Sequence, residues 1–224
     1  YPSNFFHKKS AFTLAEVLIT LGIIGVVASL TLPNIIANYK KHVIEVKLEK
    51  FYTNMSQAII LSEQDNGDFT QWPVEFSNYN TAKEKFWDIY LAKYLKSVKS
   101  VYSGGTGVRV VLADGSGFTV SNGACVDFYY YLDARNIAVK NTFRSNFRTG
   151  KDYFNFRLCQ KDSINMYGGG VVGFAPTSNG SWSQRNNREF LKEHCKVPFE
   201  DGDTCTALIQ HDGWKIKSDY PIKF

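Results

Sequence analysis

Between Val17 and Tyr39 the chain runs for 23 residues without an Asp, Glu, Lys or Arg. About 20 predominantly apolar residues let a helix cross the hydrocarbon core of a bilayer, so this run predicts one transmembrane helix. Nothing downstream competes with it, because Val108–Ala113 and Val171–Ala175 are too short to span. Of the 224 residues 44 % are apolar and 21 % charged, which excludes wholesale disorder and a polytopic membrane protein. Mean hydropathy is −0.25 in spite of the apolar run, so the remainder is polar enough to be a water-soluble domain. The net charge of +5 comes from scattered Lys and Arg, and no nucleic-acid partner is predicted from it.

Lys8 and Lys9 precede the run and Lys40 and Lys41 follow it, so the positive-inside rule leaves orientation open. Four cysteines without a Cys-x-x-Cys pair favour an oxidising exterior for the soluble part. Glu16 is the informative charge. A carboxylate at the start of a segment bound for lipid is costly and by default marks function. The competing reading is a side chain that snorkels at the interface beside Lys8 and Lys9.

The stretch Lys8-Lys9-Ser10-Ala11-Phe12-Thr13-Leu14-Ala15-Glu16-Val17-Leu18 resembles the processing site of type IV prepilins and type II secretion pseudopilins. That family has a short basic leader, a small residue, then Phe-Thr-Leu-x-Glu and an apolar stretch. The resemblance implies cleavage between Ala11 and Phe12 by a prepilin peptidase, with N-methylation of Phe12. It departs from the family at Ala11, where Gly is usual. Pro33, twenty-one residues after Phe12, falls where the family usually has a helix-loosening proline. The resemblance also implies that the new α-amino group pairs with the Glu of a neighbouring subunit, so that Glu16 sets axial register. It implies a single-pass inner-membrane protein with its head extracytoplasmic, then a homo- or hetero-polymer with other pilin-like subunits. A separate assembly ATPase and platform machinery would drive that step.

After Pro33 the helical pattern resumes. Ile44, Leu48, Phe51, Met55 and Ile59 recur at spacings of four, three, four and four, one face of a helix. Gly67 after Asp65-Asn66 is a C-terminal stop. Residues 12–66 therefore predict a helix of about 80 Å at 1.5 Å per residue. Pro33 lacks an N–H and clashes near Ser29; Gly22 and Gly25 loosen the rod or allow close helix–helix contact in lipid. The expected division is a leader (1–11), a long helix (12–66, with 12–39 as transmembrane or filament-core part) and a globular head (67–224).

In the head, Ala82–Val98 reads as a second helix, and Val108–Ala113, Asp114-Gly115-Ser116-Gly117 and Phe118–Val120 as a hairpin. Ala124–Leu132 and Tyr153–Leu158 read as strands, Val171–Phe174 as an edge strand or loop, Asn187–His194 as a short helix and Trp214–Ile216 as a final strand. The fold class is α+β: a pilin-like lollipop whose long N-terminal helix, transmembrane then amphipathic, packs on an antiparallel sheet.

Cys125, Cys159, Cys195 and Cys205 allow three pairings. The turn residues Pro198, Gly202 and Asp203 favour Cys195–Cys205, which leaves Cys125–Cys159 to staple two strands. A short C-terminal disulfide loop also resembles many type IV pilins. His194, Cys195, Cys205 and His211 can be drawn as a zinc site, but their spacing matches no common finger. The glycine runs at 104–107 and 168–170 lack the Gly-Lys-Ser/Thr of a phosphate loop. No cofactor is assigned. Calcium, which needs six to eight oxygens, has only Asp133 and Asp152 as candidates, from a loop that partly resembles that of major pseudopilins. No pair stands out as acid and base, so no catalytic activity is expected. Two rivals stay open: a secreted soluble protein cut after Ala28 within Val26-Val27-Ala28-Ser29, and a single-pass membrane-anchored binding module.

Overall fold

The computed structural model describes residues 12–72, 85–96, 98–102, 108–122, 125–138, 148–160, 172–177, 182–196 and 204–224. The Lys-Lys leader with Ala11, the glycine runs at 104–107 and 168–170, and the Pro198, Gly202 and Asp203 turn lie outside the described residues. The chain divides into two units, 1–41 and 42–224. The division falls inside the helix rather than at its end.

A continuous helix, α1 (Leu14–Asn66), runs for 53 residues and contains Pro33. In the first unit its apolar side chains are exposed along the whole run, Leu18, Ile19, Ile24, Val26, Leu30 and Ile35 among them. One window of this helix has the length and hydropathy to cross a membrane, with none of it buried.

In the second unit α1 buries Ile44, Leu48, Phe51, Met55, Ala58 and Ile59. They face a six-stranded antiparallel sheet whose strands follow sequence order. The strands are β1 (Val98–Tyr102), β2 (Val108–Leu112), β3 (Gly117–Asn122), β4 (Val126–Tyr131), β5 (Tyr153–Cys159) and β6 (Gly173–Pro176). Side chains alternate across a pleated strand, and β2, β4 and β5 show it, with Val108, Val110, Leu112, Val126, Phe128, Tyr130, Phe154, Phe156 and Leu158 buried. The register sets Phe118 opposite Tyr130 and Phe128 opposite Phe156. The Phe51 ring lies on this surface, 4.3 Å from Tyr130 and 5.0 Å from Phe156 between ring centres.

Among the described residues three helices follow the sheet: α2 (Trp182–Arg185), α3 (Arg188–Cys195) and α4 (Cys205–His211). Asn187 caps α3 by accepting the Phe190 N–H at 3.1 Å. Leu191, Cys195, Cys205, Ala207, Leu208 and Ile222 form a second small core.

The structure corrects two local expectations. Within Ala82–Val98 the described part is helical from 85 to 91, with Trp87–Leu91 as a π-helical turn, and ends earlier than expected, since Val98 already belongs to β1. The turn ends where Lys93 Nζ and Tyr94 Oη reach Asp65 at 2.6 and 2.8 Å, tying it to the end of α1. Trp214–Ile216 is irregular rather than a strand. Gly213 and Trp214 both have positive φ, 72° and 59°, and Trp214 N donates to Ile209 O to close α4. The Ile216 N–H goes to Glu45 instead of a ladder partner.

Candidate functional site

The amino end of α1 carries the strongest sequence signal, and its geometry follows from Thr13 and Glu16. Thr13 N and Oγ1 donate to Glu16 Oε2 at 2.8 and 2.9 Å, and Glu16 N donates to Thr13 Oγ1 at 3.2 Å. This is a reciprocal capping box, which satisfies two of the donors a helix start leaves unpaired. Thr-x-x-Glu before an apolar run is its sequence signature, so the box was legible although the sequence reading did not use it. Phe12 stands just outside the helix and is 87 % exposed. Ala11 lies outside the described residues. Pro33 sits within α1, which is helical on both sides of it.

A second carboxylate was missed by sequence reasoning. Glu45 is buried on the packed face of α1 between Ile44 and Leu48. Its Oε1 accepts the Ile216 N–H at 2.8 Å, and its Oε2 accepts from Lys215 Nζ at 3.1 Å. The available signal was a charge inside an apolar stripe, which demands a partner when buried.

The four cysteines form two disulfides, Cys125–Cys159 and Cys195–Cys205. No thiolate remains among them to join His194 or His211 around zinc. Gly150 packs against the second bond: a Cβ there would lie 2.5 Å from Cys205 Cβ, and its φ is +75°.

The calcium candidates each have a protein partner. Asp133 receives the Arg135 guanidinium and then its backbone N–H, which hold its carboxyl down at about 2. Asp152 accepts the Arg148 N–H at 2.8 Å. Among the described residues no group of three or more His, Cys, Asp or Glu is placed to hold a metal ion.

Near the C-terminus Arg188 bridges Asp212 and Asp219, joined by Lys192 and Lys217. Burial pushes the Asp212 carboxyl up, but Arg188 and Lys217 outweigh it and leave the group below its usual range. Hydrogen bonds from Arg188 and then Lys192 hold Asp219 down too. This network ties α3 to the chain's last turns and presents no free nucleophile.

Residues 6–32 match the prokaryotic N-terminal methylation motif, and residues 34–224 match the family described as "Family of unknown function (DUF6613)". No curated protein and no solved structure matches the chain significantly.

Proposed function

Because the chain belongs to this family of unknown function and carries a prepilin-type methylation segment ahead of its apolar helix, we propose that it is a structural subunit of a type IV pilus or type II secretion pseudopilus. Prepilin peptidase cuts before Phe12, and the processed chain polymerises through α1. It works by assembly rather than turnover, with the energy supplied by a separate ATPase and platform.

The observation that carries the reading is one coincidence. The methylation motif covers 6–32, the helix starts at Leu14, and Glu16 lies in its first turn. Cleavage before Phe12 would free an α-amino group beside that carboxylate. Two disulfides using all four cysteines support a head that matures in an oxidising compartment. An apolar surface this long, exposed on a single helix, needs lipid or neighbouring helices around it.

Intact mass of the chain recovered from membranes, with and without a prepilin peptidase in the cell, tests the proposal. The expected product begins at N-methylated Phe12 and appears only when the peptidase is present. A chain beginning at Ser29 would mark a secreted protein, and an uncut leader in both cells an anchored module.

A further inference from the structure

Arginine carries five donors and no acceptor and stays charged in proteins, so one drawn out of water needs an anion. Two arginines three residues apart meet that need differently. Arg188, at the start of α3, makes four hydrogen bonds to Asp212 and Asp219, each at 2.8 or 2.9 Å. Arg185, at the end of α2, makes no hydrogen bond or ion pair with any described residue. Yet it is half-buried. Burial pushes its guanidinium down, and the group that acts against this is the Tyr52 phenol.

Tyr52 belongs to an aromatic wall. Its ring lies 5.2 Å from that of Trp214 and 5.8 Å from that of Phe174 between centres. Phe174 is buried in the core, while Tyr52 and Trp214 are half-buried at its margin. Trp214 holds its place with φ at 59°, a strained backbone for a bulky side chain, and such strain gathers at ligand sites. The wall supplies rings and Arg185 a charge; among the described residues nothing supplies the anion.

We propose that Arg185, Tyr52 and Trp214 form a binding site for a carboxylate borne on an apolar body, either a small organic acid or the free end of a peptide. The guanidinium fork pairs with both oxygens of a carboxylate, and the two rings cover the apolar body beside it. A phosphate group carries close to two charges and calls for a second cation. Lys192, Lys215 and Lys217 are engaged with Asp219, Glu45 and Asp212. The site draws one residue each from α1, α2 and the C-terminal segment, and it does not depend on processing before Phe12.

The test is thermal unfolding of the full-length chain in detergent with benzoate, N-acetylphenylalanine or the uncharged amide of the latter, sodium chloride keeping ionic strength constant. At ten times its Kd an acid that binds should raise the midpoint by about 3–5 °C, and the amide should leave it unchanged. A rise with benzoate alone assigns a small acid, and a rise with N-acetylphenylalanine a peptide end. Arg185→Gln should abolish the rise without lowering the ligand-free midpoint, because it removes a charge that no group of the chain answers. No rise with either acid, or an equal rise with the amide or in Arg185→Gln, overturns the inference. So does a lower ligand-free midpoint in Arg185→Gln, which would place an acid of the chain itself on the guanidinium.

Discussion

Two demands meet on the carboxylate of Glu16. It closes the box with Thr13 at the start of α1, and in the proposed assembly its charge answers the amino group of a neighbouring Phe12. The demands separate chemically, because glutamine also completes a capping box but carries no charge. Glu16→Gln should leave processing before Phe12 intact and abolish recoverable polymer; Glu16→Ala should lose both the box and the polymer. Sheared filaments quantified beside N-terminal mass read this out, and normal polymer from the Gln variant would show that the charge is not used. Glu45 makes a different demand. Glu45→Ala would leave the buried Ile216 N–H without an acceptor, a loss of about 1–3 kcal/mol. Glu45→Gln keeps one acceptor oxygen and should cost less. Thermal unfolding of the detergent-solubilised chain ranks the two, and equal midpoints would mean the bond contributes nothing.

Among the elements, α3, α4 and the last turns are held by the Arg188 network, which makes acid stability predictable in sign. Asp212 and Asp219 sit below their usual range in the folded chain, so the unfolded chain binds more protons there. Their contribution is complete above the ordinary carboxylate range and is lost as pH falls through the lowered values. The unfolding midpoint should therefore drop between about pH 5 and pH 2, and Asp212→Asn should flatten that slope; an unchanged slope would remove the network from the account. The elements also differ in how far they could be read in advance. The α1 stripe and the β2–β3 hairpin were legible because each shows one clean period, 3.6 or 2, with one side buried. Helix α4 was not: Cys205 to Ile209 are all buried, packed on β5, β6 and α3 at once, so no amphipathic pattern remains. The helix expected over 82–98 is read too far at its C-terminal end: it stops after Leu91, next to Lys93 and Tyr94, which bind Asp65 from a distant part of the sequence. Of the candidate site, Glu16 stood out as a lone charge before an apolar run, whereas the hydrogen bonds that explain the burial of Glu45 come from Lys215 and Ile216, far along the chain.

For the molecule as a whole, the sheet is built from neighbours in sequence order, while the contact that closes it on α1 comes from the far end of the chain. At about 5–20 residues per second of synthesis, residue 45 precedes Lys215 by roughly 10 to 30 s. The stretch of α1 that carries Glu45 is thus made before the amide of Ile216 exists to meet it. Until then the Glu45 carboxylate has only its helix neighbour His42, 3.8 Å away in the folded chain, and neither of its hydrogen-bond donors. A chain truncated before residue 214 loses both donors to Glu45, so its head should melt below that of the full-length chain, and equal melting temperatures would mean that the C-terminal segment does not fasten α1.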